Sequence, residues 1–388
     1  MTAPLYTVVP TPEFGFTDQL MQLSLFGRLG HALDRRFVYT PIQNERTAND
    51  VWRTLGVADA FAGRHLDPAD RCAEVALSDA VLEAHGVRDG QDLLDTVEGL
   101  VAQVASDAVP AFRLVGQRKL LSRLISADPT RFAWPDAPLV RQALTRAADS
   151  PFPEGAGPKV LVHIRRGDVT VVNAPWDRAY KIRPGERFLT QPDPFPTYHL
   201  RDFYTVIRRL QERMGARGHT AIFSDGCGRA REILETFPDE TLGTDANRRR
   251  ALHDFLDFED LTFRAFEGMP NTTMDVGETL AGFRKLVRGL TEADLVVYGN
   301  AQQLCPKFVG AVAPQESGKM LAELVHRDRY DPNKLSEAGV QPGQADYWPI
   351  FPQDFDLDPV VDFLETRLQT ESGFAGEVTT RADTESRW

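Results

Sequence analysis

Three apolar runs in the second half of the chain alternate with segments of helical periodicity. The runs are KVLVHIRRGD (159–168), HTAIFSD (219–225) and ADLVVYGN (293–300), with the helical patterns RAREILETF and ETLAGFRKLVRGL beside them. Strands that alternate with helices predict an α/β fold with a parallel, doubly wound sheet. Each run ends in polar or glycine residues. Because ligands of such sheets bind beyond the carboxyl ends of the strands, we expect these residues to converge on one cleft.

The first half of the chain has a different pattern. Residues 14–42 predict a turn, then a helix over TDQLMQLSLFGRLGHAL, then a short strand at 37–42. From 45 to 150 the pattern is mostly helical, and helices are predicted over DLLDTVEGLVAQVASDAV, PAFRLVGQRKLLSRLI and PLVRQALTRAA.

The stretch SPFPEGAGP (150–158) is the predicted domain boundary, because it holds three prolines and two glycines in nine residues. We therefore predict one domain over residues 1–150, largely helical, and a second over 151–370. The polar segment 371–388 is predicted to be a disordered tail.

Composition narrows the setting of the protein. The 388 residues are 42% hydrophobic and 26% charged, and the three cysteines form no CxxC pair, which is typical of a reducing cytoplasm. The start shows no secretory signal, and no apolar run reaches the roughly 18 residues of a transmembrane span. The net charge of −12 disfavours nonspecific binding to nucleic acid. The eight histidines are dispersed, and no metal site is predicted.

The end of the run at 159–168 carries the strongest candidate chemistry. Side chains alternate across a strand, so His163 and Arg165 should share one face while Arg166 and Asp168 share the other. A guanidinium binds anionic oxygens through a planar fork, which suits a nucleotide phosphate. The alternative is a surface strand end with a structural Arg–Asp pair.

The segment His163–Asp168 reads H-x-R-R-x-D and resembles the signature of the α1,2-, α1,6- and protein O-fucosyltransferase superfamily. Gly15–Gln22 (GFTDQLMQ) resembles the family's N-terminal G-x-G-N-Q-x-x-Q, with Thr17 and Asp18 in place of the second Gly and the Asn. Phe223–Asp225 resembles its F-S-D-D, with Gly226 in place of the second Asp.

This resemblance implies a GT-B fold, in which two Rossmann-like domains face each other across a cleft. It also implies an inverting, metal-independent enzyme that moves fucose from GDP-fucose to a hydroxyl of a glycan or protein acceptor, without a cofactor. The first domain would bind the acceptor and the second would bind GDP-fucose. Arg165 would contact the β-phosphate, His163 the guanine or ribose, and Arg166 and Asp168 would pair to support the loop. The other implied donor-binding residues are Gly15, Phe16, Ser224, Asp225, Asn300, Ala301 and Gln302.

Several residues keep two interpretations. Asp225 suits the N1 and N2 donors of guanine and equally an N-cap for the helix near Arg229. Asn300 and Gln302 open the helix after the third run, where free N–H groups suit phosphate, or they cap it. Asp18 and Glu13 are candidate general bases through their place in the N-terminal loop, unless the leaving phosphate takes the proton.

The sequence also leaves two interpretations open for each of two further segments. Residues 173–196, rich in Pro and Arg, form either a lid over the diphosphate or a solvated loop. Asp354–Asp356 resembles the DxD of metal-dependent transferases, but with no strand predicted before it we favour a helix-capping acidic turn.

Two rival functions stay open beside the fucosyltransferase one. They are a transferase that uses another nucleotide-sugar, such as GDP-mannose or a UDP-sugar, and a non-catalytic nucleotide-sugar-binding relative.

Overall fold

The computed structural model describes two parallel sheets and the helices that cover them. The residues described are 5–8, 16–34, 36–38, 56–57, 72–104, 111–115, 119–166, 169–172, 178–181, 200–242, 245–277, 279–299, 304–314, 317–327 and 330–371. No helix within these ranges is long and apolar enough to cross a membrane.

The first sheet has four described strands in the order β2-β1-β4-β3, all parallel. Its strands are β1 (Leu5–Val8), β2 (Arg36–Val38), β3 (Cys72–Ala76) and β4 (Ala111–Val115). Its helices are α1 (Phe16–Ala32), α2 (Asp79–Ala84), α3 (Gly90–Val104), α4 (Lys119–Ala127) and α5 (Ala137–Arg146). The predicted helix after residue 14 is confirmed as α1.

One predicted helix of this half is wrong. The pattern PAFRLVGQRKLLSRLI divides into the strand β4 and the shorter helix α4. The physical reason is tertiary: β4 lies between β1 and β3, so partners on both edges take up its backbone hydrogen bonds. The sequence pattern also missed β1 and β3, which are only four and five residues long.

The second sheet is the predicted parallel, doubly wound one, with six strands in the order β12-β11-β10-β5-β8-β9. Its strands are β5 (Lys159–Ile164), β8 (His219–Ser224), β9 (Thr272–Val276), β10 (Leu295–Gly299), β11 (Lys319–Leu324) and β12 (Ala345–Ile350). A separate antiparallel hairpin joins β6 (Val169–Val172) to β7 (Arg178–Lys181).

Helices occupy both faces of this second sheet. They are α6 (Leu200–Met214), α7 (Gly228–Thr236), α8 (Asp239–Leu242), α9 (Ala246–Glu267), α10 (Leu280–Glu292), α11 (Leu304–Val312), α12 (Lys334–Glu337) and α13 (Asp358–Glu371). The chain therefore has the α/β fold with two parallel sheets that the sequence predicted.

The described part of the chain has two hydrophobic cores. One core combines residues of the first unit, such as Leu23 and Ile125, with residues of the second, such as Val309 and Leu161. The other lies on the opposite face of the second sheet, beneath α6, α9 and α13. Packing across the shared core joins α1 to α11, α5 to α10 and α4 to α12.

Arg28 of α1 adds a polar contact inside the shared core. Its buried guanidinium donates to the carbonyl oxygens of Gly310, at 2.5 Å, and Gly339, at 3.5 Å. Burial lowers the pKa of Arg28 to about 10. Both carbonyls lie near the C-terminal end of a short helix, where the helix dipole favours a cation.

The structure tests the predictions for three further segments to different extents. Within residues 173–196 the structure describes only β7, which pairs with β6, so the lid and loop interpretations stay predictions. The predicted tail from 371 lies outside the described residues apart from the end of α13. The acidic segment Asp354–Asp356 does follow a strand, β12, contrary to prediction, because that strand extends a sheet edge that the pattern did not reveal. Asp356 accepts the N–H of Asp358, where α13 begins, as the capping interpretation predicts.

Candidate functional site

The strand order of the second sheet reverses between β5 and β10. From β5 the chain adds β8 and β9 on one side and later β10, β11 and β12 on the other. Ligands of open α/β sheets bind outside the carboxyl ends of the strands at such a reversal point. His163 and Arg165 lie at this end of β5, so the sequence motif is placed where this fold binds ligands.

His163 is a buried and uncharged member of the motif. It lies level with Phe223 of β8 and Tyr298 of β10, which both belong to the core shared by the two units. Only 9% of its surface is exposed, and burial, together with the nearby Arg165 charge, lowers its pKa to about 4. At neutral pH the imidazole is therefore a hydrogen-bonding group and not a cation.

Arg165 supplies the accessible positive charge at this edge. About 30% of its side chain is exposed, and its Nε lies 3.3 Å from Oδ2 of Asp225, whose side chain is 18% exposed. Asp225 follows β8, the neighbour of β5 in the sheet. Asp225, at the end of the adjacent strand β8, thus orients the guanidinium of Arg165, which remains accessible to an anion.

Asp225 contacts the end of β5 instead of capping α7. Its Oδ1 accepts the backbone N–H of Arg166, and Oδ2 faces Arg165. The N-cap residue of α7 is Cys227, so the capping interpretation of Asp225 is wrong. The reason is geometric: the carboxylate turns across to β5 instead of along its own chain. The guanine interpretation stays a prediction.

Arg166 points to the opposite side of the sheet from His163, as strand alternation predicts. Its side chain is 1% exposed and forms an ion pair with Glu259 of α9, which is 2% exposed, through Nε and Oε2. A second bond joins Nη2 to Oε1 at 3.3 Å, and Nη1 donates to the carbonyl of Arg165 at 3.0 Å. Asp168, the predicted partner, lies outside the described residues, so that pair stays a prediction.

Glu259 was missed by the motif search, although the sequence contains a signal for it. It occupies the apolar stripe of α9, between Leu256 and Phe263, and all three are buried. A single carboxylate at helical spacing among buried apolar residues requires a buried cationic partner. The signal predicts that a partner exists but does not identify it, since the partner is 93 residues away.

A cavity of about 520 Å³ opens beside Asp225, at the carboxyl ends of β8 and β9 and the start of α7. Its lining combines glycines with charged side chains: Asp225, Gly226, Cys227, Gly228, Arg231, Glu232, Asp260, Val276 and Gly277. Arg231 forms ion pairs with Asp257 at 2.7 Å and Asp260 at 2.6 Å, which join α7 to α9 at the wall of the cavity. Of the lining residues, the sequence motif predicted only Asp225.

Gly226, which takes the place of the second Asp of the F-S-D-D pattern, has a local reason to be glycine. Its φ is +68°, and a Cβ at this position would lie 2.9 Å from Cγ1 of Val276. Its N–H donates to Oγ of the buried Ser224 at 3.0 Å, which closes the turn after β8. Ser224 therefore shapes the turn that forms one wall of the cavity.

Asp18, the candidate base, lies in the first turn of α1. Its Oδ1 is 2.6 Å from Nζ of Lys307 on α11, the helix that follows β10. This ion pair joins the N-terminal motif to the second unit, and Lys307 was not predicted. Phe16 is the first residue of α1, whereas five predicted residues lie outside the described ranges: Glu13, Gly15, Asn300, Ala301 and Gln302. The structure thus brings Arg165 to Asp225, with His163 and Ser224 at the carboxyl ends of the same two neighbouring strands.

Among the described side chains, no group of three or more His, Cys, Asp or Glu residues could hold a metal ion.

Comparison with known proteins gives similarity of structure but not of sequence. No family model matches the chain, and no curated protein matches it. A crystal structure of POFUT1 in complex with GDP has a TM-score of 0.37 at 13% identity, and covers 88% of this chain and 98% of its own. POFUT1 in complex with GDP-fucose gives 0.36 at 13%, with 89% and 97% covered. A mutant of Arabidopsis thaliana FUT1 in complex with GDP gives 0.36 at 11%, with 86% and 72% covered. Likeness at this level assigns neither substrate nor activity to the chain.

Proposed function

We propose that this protein is an inverting, metal-independent glycosyltransferase that moves fucose from GDP-fucose to a hydroxyl of a glycan or protein acceptor. One observation carries the proposal: Arg165, within H-x-R-R-x-D, lies accessible at the reversal point of a six-stranded parallel sheet, and it pairs with Asp225, which lines a cavity of about 520 Å³. A nucleoside diphosphate matches this arrangement, because it combines an anion for the guanidinium with a base for the cavity.

The reaction would be a direct displacement at the anomeric carbon. The acceptor oxygen forms the new glycosidic bond as the bond to the β-phosphate oxygen breaks, and GDP leaves with the bonding electrons. Negative charge then grows on the diphosphate, and Arg165 would stabilise it. The acceptor proton passes to a carboxylate or to the leaving phosphate. Removing one pre-oriented donor of this kind typically raises a barrier by about 3–4 kcal/mol.

The neutral state of His163 assigns it a different contact from Arg165. A buried imidazole with a pKa of about 4 has no charge to offer a phosphate at neutral pH. It can donate through one nitrogen and accept through the other, which suits a ribose hydroxyl or a base edge. We therefore assign the diphosphate to Arg165 and the ribose to His163, and the base to the cavity.

Guanine specificity would depend on carboxylates in the cavity. Guanine offers N1–H and N2–H donors, which Asp225, Glu232 or Asp260 could accept. Asp225 already accepts the N–H of Arg166, so part of its capacity is in use. The proposal includes GDP as the preferred nucleotide and no resident cofactor. The cytoplasmic location predicted from the sequence belongs to it as well.

Nucleotide-dependent unfolding tests the donor class. The unfolding temperature is measured with GDP, UDP and ADP at equal concentration, because a ligand at about 100 times its Kd adds about 2.7 kcal/mol to the free energy of unfolding. We expect GDP to give the largest rise. A larger rise with UDP would replace GDP-fucose with a UDP-sugar, and no rise with any nucleotide would overturn the proposal.

A second candidate function, a non-catalytic nucleotide-sugar-binding protein, is favoured by one specific observation. The candidate base Asp18 forms an ion pair with Lys307, and it lies in the segment Gly15–Gln22, which departs from the fucosyltransferase pattern at two positions. GDP release from GDP-fucose, with and without glycan or protein acceptors, separates the two candidates. GDP binding without acceptor-dependent release from any donor would favour the binding protein.

A further inference from the structure

We propose that Glu259 is a positioning residue for the donor site, which holds both the Arg165 turn and the start of α7 in the arrangement that binds a nucleoside diphosphate. This inference rests on the proposed function, because it assigns Glu259 an effect on the nucleotide that Arg165 would bind. Glu259 lies on α9, outside the motifs that indicate the site.

Burial makes the Arg166–Glu259 pair a rigid anchor. Both side chains are almost wholly inaccessible, and each carries a charge that would be costly to bury without the other. Burial alone lowers the pKa of Arg166, but the Glu259 carboxylate more than offsets this and the net pKa is raised. Arg166 therefore stays charged, and the end of β5 cannot move away from α9 without separating its buried guanidinium from the Glu259 carboxylate.

The anchor acts on Arg165 through the peptide that joins it to Arg166. Nη1 of Arg166, whose Nε binds Glu259, also donates to the Arg165 carbonyl at 3.0 Å. The N–H of the same peptide donates to Asp225, whose second oxygen faces the Arg165 guanidinium at 3.3 Å. The peptide is thus fixed from both sides, which sets the direction in which Arg165 leaves the strand.

The second contact of Glu259 is with a residue that lines the cavity. Its Oε2 lies 4.0 Å from Sγ of Cys227, the N-cap residue of α7 and part of the cavity lining. Burial raises the pKa of the Cys227 thiol to about 12, so it is a neutral S–H donor to the carboxylate. One carboxylate therefore contacts both the turn that carries Arg165 and the residue that starts the nucleotide-facing helix.

The test compares Glu259→Gln with the wild type in three measurements: GDP affinity by calorimetry, unfolding temperature, and amide exchange of the peptide around Arg165 and Arg166. Glutamine keeps the shape but removes the charge. We expect GDP to bind at least tenfold more weakly and the amides of this turn to exchange faster.

Glu323→Gln is the matched control. Glu323 is also buried in the second sheet, on β11, and is paired with Lys334 and with Tyr347. We expect this variant to lose stability as well, yet to keep its GDP affinity within about twofold of the wild type. If Glu323→Gln weakens GDP binding as much as Glu259→Gln does, Glu259 has no particular role and the proposal is wrong.

A double variant separates positioning from general stability. Arg166→Met with Glu259→Leu replaces the charged pair with apolar side chains, an exchange that is often neutral or stabilising. We expect the unfolding temperature to recover relative to Glu259→Gln while GDP affinity stays weak. Recovery of both quantities would overturn the proposal, as would wild-type GDP affinity in Glu259→Gln. This variant also decides the matter if Glu259→Gln does not fold.

Failure of the proposed function gives a different result. If the wild type binds no GDP, the donor assignment falls, and amide exchange alone then decides whether Glu259 fixes the Arg165 turn. Unchanged exchange in both variants would overturn the positioning role itself.

Discussion

Neighbouring polar residues at the end of β5 differ in burial and in their partners. His163 is enclosed between β8 and β10 and is neutral at pH 7, whereas Arg165 extends to the accessible edge beside Asp225. Arg166 is fully buried but charged, because Glu259 is its partner. Burial and partner, together with residue type, therefore make one residue a hydrogen-bonding group, one an accessible cation and one an anchor.

Arg165→Ala should remove activity while leaving the fold intact. The side chain is partly exposed, so its loss costs little stability, but the developing charge on the diphosphate would lose its donor. We expect kcat/KM to fall about 100- to 1,000-fold, which corresponds to about 3–4 kcal/mol. Arg165→Lys is the control that keeps the charge but loses the bidentate fork. A rate above about a tenth of the wild type in Arg165→Ala would refute the proposed mechanism.

Stability should fall as the pH drops because His163 is neutral in the folded state. Its folded pKa of about 4 lies below the ordinary value of 6.5, so the unfolded chain binds more protons between these values. The contribution is complete above pH 6.5, is lost progressively towards pH 4, and amounts to about 3 kcal/mol.

The measurement is the free energy of unfolding by urea at pH 7 and pH 4.5, for the wild type and for His163→Gln. Since glutamine does not titrate, the variant should lose less stability over this interval. Equal losses in the two proteins would show that His163 does not titrate as the structure indicates.

At the scale of single elements, the secondary structure of short segments depends on the strands that pair with them. Residues 111–115 form a strand because β1 and β3 flank them, although the segment reads as part of a longer helix. In contrast, α1, α5 and α7 were predicted to within a few residues, since a helical pattern continues over at least nine residues in each. Local pattern suffices where it is long, and sheet pairing overrides it where it is short.

The turn between β8 and α7 gives a prediction about two neighbouring glycines. Gly226→Ala should destabilise the protein by about 1–2 kcal/mol, because a left-handed φ is unfavourable for alanine and the new Cβ would crowd Val276. Gly228→Ala is the control, since no atom lies within 4 Å of its added Cβ and it begins a helix. Denaturant unfolding measures both, and equal effects would contradict this account of the turn.

At the scale of the whole molecule, the two sheets share a core. Helices α1, α4 and α5 of the first unit pack on α11, α12 and α10 of the second, and Arg28 and Asp18 add polar contacts across the same boundary. The predicted boundary at 150–158 joins α5 to β5 along the chain, but apolar packing continues past it. Separation of the units would expose this shared core to water.

We therefore expect the full chain to unfold in one cooperative transition. Trp134 lies in the shared core and Trp348 lies against the other core, so each reports a different part of the molecule. Fluorescence of two variants, one that keeps only Trp134 and one that keeps only Trp348 of the five tryptophans, should give coincident midpoints through urea unfolding. Two separated midpoints would show that the units unfold independently.

The sequence by itself determined the parallel sheet, the position of the H-x-R-R-x-D motif at a strand end, and the opposite facing of His163 and Arg166. These follow from periodicity and strand alternation, which depend only on nearby residues. Only the tertiary structure decided that Glu259 is a partner of Arg166, that Asp225 turns to β5, and that Lys307 meets Asp18. Each of these contacts joins residues far apart in the chain, and periodicity contains no information about such pairs.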